Sequence, residues 1–143
     1  MALKQLNIFV ENKPGSLVSV TAALAEASID IRALSMADTE EFGILRLIVT
    51  DTDKAKAALE AIGCVVKISE VVGVKIGDAP GKLSGALKVL GDAGINMEYL
   101  YAFLTRTEKH AYVVLRVADN DAAERVLTGA GYYLIRDTDV AKL

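Results

Sequence analysis

The chain is written twice, and that duplication limits what it can fold into more than any other feature. Asn12-Lys13-Pro14-Gly15-Ser16-Leu17 and Asp78-Ala79-Pro80-Gly81-Lys82-Leu83 each follow an alternating apolar run and precede an apolar run at helical spacing. Their offset is 80 − 14 = 66 residues. At the same offset Val72, Val74 and Ile76 repeat Leu6, Ile8 and Val10, and Gly94-Ile95-Asn96-Met97 repeats Ser28-Ile29-Asp30-Ile31. After the second hairpin loop the offset becomes 68, so that Val113, Leu115 and Val117 match Leu45, Leu47 and Val49, and Gly131 matches Gly63. Two copies are too few for a solenoid, so each half is expected to form its own layered unit.

In the first half, Leu6, Ile8 and Val10 alternate with Asn7, Phe9 and Glu11, the period of a half-buried strand. Leu17, Val20, Thr21, Leu24 and Ala27 share one helical face, with Ser16 or Asn12 available as a cap. A strand through Arg32–Met36, a polar loop over Asp38–Gly43 and a strand at Ile44–Val49 follow. A second helix carries Ala55, Ala58, Leu59 and Ile62, stops at Gly63, and leads to a strand at Cys64–Ile68. The second half repeats this order. Leu83, Ala86, Leu87, Leu90 and Ala93 form a helix face, Tyr99–Leu104 a strand, Thr105–His110 a loop, and Tyr132–Asp137 a last strand before a short tail. The expected fold is α+β, with domains at 1–69 and 70–143, each an antiparallel sheet with helices on one face.

The third strands place Ile44, Arg46 and Ile48, and Tyr112, Val114 and Arg116, on the face away from the helices. That face is too apolar to stand wholly in water. It is expected to be covered in part by the other repeat or by another chain, a homodimer being the simplest cover.

Composition narrows the function. The 143 residues are 52% hydrophobic and 24% charged, with a net charge of −3 and no basic tract. No nucleic-acid or membrane-surface role is expected. Cys64 is the single cysteine, so no internal disulfide forms. No apolar run reaches the ~20 residues of a membrane span, and the first residues lack the apolar core of a signal peptide. A soluble cytoplasmic protein is the expectation.

With these residues in view, the pattern resembles the ACT domain family. Asn12-Lys13-Pro14-Gly15-Ser16-Leu17 with Ser28-Ile29-Asp30-Ile31 carries the match in the first half. Asp78-Ala79-Pro80-Gly81-Lys82-Leu83 with Gly94-Ile95-Asn96-Met97 carries it in the second. The resemblance covers the whole chain as two copies. It implies ferredoxin-like units that pair side by side and bind a free amino acid at the paired edge, against the loop between first strand and first helix. Many members are fused to a metabolic enzyme or a DNA-binding domain. This chain looks like a free-standing tandem, regulating a separate metabolic enzyme or regulator.

A zwitterion suits such a turn. Its carboxylate matches the N–H groups of Gly15 to Val18, or of Gly81 to Ser84, at a helix start. Its ammonium needs acceptors, which Asn12 and Asp30, or Asp78 and Asn96, are expected to supply from matching ends of adjacent elements. Gly15 and Gly81 allow close approach to the backbone. The alternative is that Pro-Gly is only a tight turn before a helix. The candidate ligand residues are therefore Asn12, Lys13, Pro14, Gly15, Ser16, Leu17 and Asp30, and Asp78, Ala79, Pro80, Gly81, Lys82, Leu83 and Asn96. Tyr99, Tyr101 and Phe103 stand where repeat one has Ala33, Ser35 and Ala37, so the two half-sites are expected to be unequal. The first turn is the stronger candidate.

Other chemistries fare worse. Gly77 to Leu83 has three residues between its glycines and Leu83 after Lys82, which breaks the phosphate-loop pattern. His110 is the only histidine and sits beside a loop without a cysteine, so neither a metal site nor a catalytic triad is nominated. No cofactor is implied, and no enzyme activity is expected. RNA-recognition units share βαββαβ but place aromatics on the third strand with positive charge, and Ile44–Val49 has no aromatic. Two functions stay open: a sensor of a free amino acid, and an assembly module that regulates a partner enzyme without a small ligand.

Overall fold

The computed structural model describes residues 3–38, 41–107 and 109–143. It divides into two compact units, Lys4–Ser69 and Glu70–Leu143, with Leu3 belonging to the second. The elements are β1 (Leu3–Glu11), α1 (Ser16–Glu26), β2 (Ile31–Asp38), β3 (Phe42–Val49), α2 (Thr52–Ala61), β4 (Val66–Gly77), α3 (Lys82–Asp92), β5 (Tyr99–Ala102), β6 (His110–Arg116), α4 (Asn120–Gly129), β7 (Tyr133–Ile135) and α5 (Asp137–Val140). This is the duplicated βαββαβ pattern: α+β, antiparallel, ferredoxin-like.

In the first unit β3 lies between β1 and β2 and runs antiparallel to both, with Leu6 and Leu34 each level with Leu47. β1 and β2 therefore run in the same direction, joined by the return helix α1. On the far side of β1 the Phe9 N–H donates to the Val65 carbonyl at 3.2 Å. The Asn7 amide there donates to the Lys67 carbonyl at 3.1 Å and the Ser69 hydroxyl at 2.9 Å. Asn7 also accepts from the fully buried Gln5 at 2.8 Å, which keeps that amide from being a desolvated orphan. The second unit repeats the order, with β4 between β7 and β6, and β5 outside β6.

The period-two pattern of the strands builds the cores. Leu6, Ile8 and Val10 with Leu45, Leu47 and Val49 meet Val20, Leu24, Ala55 and Leu59 from the helices. Val72, Val74 and Ile76 with Val113, Leu115 and Val117 meet Ala86, Leu90, Ala123 and Leu127. Leu24, Leu59, Leu90 and Leu127 are wholly buried, and each such side chain contributes about 1.5–3 kcal/mol.

Several expectations are corrected. Leu17 and Thr21 are exposed, and the stripe that meets the core runs instead through Val20, Ala23, Leu24 and Ala27. Leu17 lies in the first turn of α1, and the Thr21 hydroxyl donates back to its carbonyl at 2.9 Å. Ile62, past the last turn of α2, is half exposed. The fourth and fifth expected strands are one continuous element, β4. β5 is shorter than expected, although the Phe103 N–H still reaches the Tyr112 carbonyl at 2.9 Å. β7 ends at Ile135 because α5 starts at once. The Asp139 carboxylate accepts the Arg136 N–H at 2.9 Å and the Tyr133 hydroxyl at 3.0 Å, closing that turn. Thr39 and Glu40 of the first expected loop and Glu108 of the second lie outside the described residues.

The faces away from the helices are buried at their centres: Ile48 is 1%, Tyr112 7% and Val114 0% exposed. The aromatics of the second unit pack on one another. Tyr99 and Tyr101 stack at 6.4 Å, and Phe103 meets Tyr112 edge-on at 6.3 Å. At Gly73 a side chain has no room, since a Cβ would stand 3.0 Å from Ile135 Cβ and closer still to Leu3.

Candidate ligand site

The four main helices begin in two different ways. α2 and α4 are closed by aspartates: Asp51 accepts the Lys54 N–H at 3.1 Å and Asp119 the Ala122 N–H at 3.0 Å. Asp53 and Asp121 add negative charge to those first turns. α1 and α3 begin at Gly15 and Gly81, with φ of 87° and 86°, no side-chain cap and no acid in the first turn. The N-cap position of α1 is Gly15, which has no side chain to offer, and Ser16 is already the first residue of the helix. The left-handed conformation, disfavoured for residues with a Cβ, explains the glycines.

The backbone groups at these two turns can be followed one by one. The Ser16 N–H reaches the Lys13 carbonyl at 3.3 Å, and the Ser19 N–H the Gly15 carbonyl at 3.0 Å. Among the described residues no backbone carbonyl accepts the N–H groups of Leu17 and Val18. The second turn matches, with Lys82 N–H to Ala79 carbonyl at 3.2 Å and Gly85 N–H to Gly81 carbonyl at 2.9 Å. Both helix starts thus carry unneutralised partial positive charge.

Beside the first turn lies a cleft of about 560 Å³. It is lined by the turn from Lys13 to Ser16 with Ser19 and Val20, by Phe9 to Glu11 with Phe42, and by Ile62 to Val65. Lys13 and Glu11 form an exposed ion pair of 3.0 Å at its mouth. Burial raises the Cys64 thiol above its ordinary pKa. The second turn is built differently. The Lys82 stem lies across Gly77, Arg106 pairs with Asp78 at 3.3 Å, and the Asp78 N–H donates to the Lys109 carbonyl at 2.9 Å.

Asn12, Lys13, Pro14, Gly15, Ser16 and Leu17 stand together, as do Asp78, Ala79, Pro80, Gly81, Lys82 and Leu83. The structure does not bring Asp30 or Asn96 to them. Asn12 bonds to the Glu41 carbonyl at 3.0 Å, next to the start of β3. Asp30 accepts from the Thr50 N–H at 3.1 Å, beyond the end of β3, and pairs with Arg32 at 2.9 Å. The expectation of matching ends is therefore corrected: α1 returns the chain across the sheet before Asp30. Asn96 likewise lines a separate hollow of about 440 Å³ with Ile95, Glu98 and Asp119. Sequence reasoning also missed Phe9, Phe42, Ile62, Cys64 and Val65. Phe42, an aromatic among acids in an expected polar loop, was the one visible signal.

No group of three or more His, Cys, Asp or Glu fit to hold a metal occurs among the described residues. No helix among them is long and apolar enough to cross a membrane.

Two ferredoxin-like units, each with a glycine-started first helix after its first strand, define a tandem of small α+β domains. The model for the ACT domain pair matches residues 1–143, and the chain belongs to that family. Among solved structures, protein BT0572 from Bacteroides thetaiotaomicron is 40% identical with a TM-score of 0.93, over 100% of this chain and 98% of that one. The ligand-free regulatory subunit of aspartate kinase from Thermus thermophilus is 20% identical with a TM-score of 0.65, over 92% and 94%. That from Thermus flavus is 19% identical with a TM-score of 0.62, over 91% and 93%. These two show the shared fold. A search of the curated proteins returned no significant match.

Proposed function

We propose that this protein is a non-catalytic, cytoplasmic regulatory sensor that binds a free amino acid at the first Pro-Gly turn. The observation that carries the reading is the pair of uncapped, acid-free helix starts at Gly15 and Gly81, beside α2 and α4 that are capped in the same molecule. A ligand carboxylate completes the Leu17 and Val18 N–H groups and gains from the helix dipole. Lys13 adds a cation, and Glu11 and Ser19 offer acceptors for the ammonium.

Asp30 joins such a site only from a second copy. β2 is an edge strand, with Leu34 and Met36 about two-fifths exposed on it. Antiparallel pairing of two such edges in a homodimer reverses direction across the twofold. Asp30 of one copy then approaches the turn from Asn12 to Leu17 of the other. The regulated partner is a separate metabolic enzyme, a reading supported by fold analogy with aspartate kinase regulatory subunits. The same exposed edge favours a second reading, an assembly module without a small ligand.

A thermal-shift screen against the twenty amino acids at millimolar concentration separates the two. A ligand at a hundredfold excess over Kd stabilises by about 2.7 kcal/mol. A shift confined to one chemical class supports the sensor. No shift, with a dimer that dissociates on Leu34→Lys, supports the assembly module.

A further inference from the structure

One end of the second unit's sheet gathers basic side chains on the face away from the helices. Val74 and Ile76 point into the core, so Lys75 and the Cβ direction of Gly77 lie on the other face. Lys75 is level with Tyr112 and Gly77 with His110, which puts His110 on that face too, diagonal to Lys75 and within reach of its long side chain. Lys82 joins them from the first turn of α3. Its stem carbons Cγ, Cδ and Cε pass 2.9, 3.1 and 3.3 Å from the place of a Gly77 Cβ. Lys75, Lys82 and His110 thus reach one corner from β4, α3 and β6. Lys109, whose carbonyl accepts the Asp78 N–H at 2.9 Å, adds an exposed cation beside them. Tyr133, half exposed and level with Lys75, borders the corner from β7. By the offsets of 66 and 68 the first unit has Phe9, Ser16 and Phe42 in place of Lys75, Lys82 and His110. The duplicated corner is basic in one copy alone, in a chain whose net charge is −3.

We propose that this corner binds a phosphate monoester, with Lys75, Lys82 and His110 as its donors. The acids beside it are already engaged. Asp78 pairs with Arg106 at 3.3 Å, and Asp139 accepts the Tyr133 hydroxyl at 3.0 Å and the Arg136 N–H at 2.9 Å. Among the described residues neither Lys75 nor Lys82 forms an ion pair. Two ammonium groups held at one corner repel each other, and an anion between them relieves that repulsion. The donors also select the anion. A planar carboxylate suits the fork of an arginine, and the arginine at this corner, Arg106, is held by Asp78. Ammonium groups are point charges on flexible stems, which suit a compact oxyanion carrying a charge near −2 (about −1.5 to −2 for a phosphate monoester). All three donors are side chains, so the broken phosphate-loop pattern of Gly77 to Leu83 does not bear on the site. The corner belongs to the second unit and is independent of the sensor reading, which concerns the first.

His110 is the only histidine in the chain, so its imidazole C–H resonances in an NMR titration report this corner alone. The intact protein is titrated at about pH 7.5, above the second phosphate pKa of about 6, with inorganic phosphate, adenosine monophosphate, a hexaglutamate peptide and, at matched ionic strength, sodium chloride. Phosphate and adenosine monophosphate are expected to move the His110 resonances to saturation, and chloride is not. Lys75→Gln/Lys82→Gln is expected to weaken both phosphates at least about tenfold. Lys54→Gln/Lys56→Gln, which removes the same charge from α2, is expected to leave their Kd within about twofold. Should the first double variant melt below the parent, Lys82→Gln alone, at an exposed position, takes its place with a loss of about threefold or more. Shifts that phosphate and chloride produce alike, or a Kd that falls equally in both double variants or in neither, overturn the inference. Tighter binding of hexaglutamate than of adenosine monophosphate also overturns it and marks the corner as a surface for an acidic protein segment.

Discussion

Glu11 and Lys13 close an ion pair of 3.0 Å at the mouth of the first-unit cleft, with both side chains more than three-fifths exposed. So exposed a pair contributes little to folding, about 0–1 kcal/mol. Glu11→Gln and Lys13→Gln are therefore expected to change stability in urea by less than about 0.5 kcal/mol. Each is expected to weaken amino-acid binding severalfold. Equal affinities in parent and variants would remove both charges from the site.

The contrast between helix starts predicts unequal responses to alanine. Asp51→Ala and Asp119→Ala each remove a side chain that accepts a backbone N–H, and each should cost about 1 kcal/mol. Ser16→Ala, at the start of α1, has no such bond to lose and should fall within about 0.5 kcal/mol of the parent. Chemical denaturation of the three variants under one set of conditions tests this directly. A Ser16→Ala loss as large as the other two would mean that a side-chain cap forms in solution.

Gly15 has open space around the position of a Cβ, so a methyl group there meets no neighbour. Its φ of 87° is the whole penalty. Gly15→Ala should destabilise by about 1–2 kcal/mol, and Gly15→Asn by less, since asparagine tolerates this conformation better. Binding at the first turn should fall in Gly15→Val, because the branched side chain stands where a ligand would approach the backbone. Retained binding there would relocate the site.

The C-terminal turn should report pH. The Arg136 N–H, and secondarily the Tyr133 hydroxyl, donate to Asp139 and hold its carboxyl below the ordinary aspartate range. A depressed acid stabilises the fold above its unfolded value, and that contribution is lost as pH falls through the folded one. Tyr133 is shifted up, chiefly because its hydroxyl donates to Asp139, so its contribution is present below the ordinary tyrosine value and is lost as pH rises past the folded one. NMR titration of Asp139 should give a midpoint under that of a free aspartate. Asp139→Asn should lower the Tyr133 midpoint toward its ordinary value. An unmoved Tyr133 would show that the hydroxyl does not bond to Asp139 in solution.

What the sequence alone determined is local and periodic. The duplication, the element order, the glycines that open α1 and α3, and most of each core follow from apolar spacing and turn chemistry, because both act between near neighbours in the chain. Leu6, Ile8 and Val10 had to share a sheet face, and Val20 and Leu24 a helix face. Only the tertiary structure decided what long-range pairing controls. The register of β2 on β3 sent Asp30 to the far end of the sheet from Asn12. The continuity of β4 joined two expected strands into one. The folding of β1, the start of β3 and the turn after α2 into one corner gathered Phe9, Phe42, Ile62 and Val65 around a single cleft. Periodicity states which side of its own element a residue faces. It carries no information on which distant elements end beside one another, and the cleft is made of such ends.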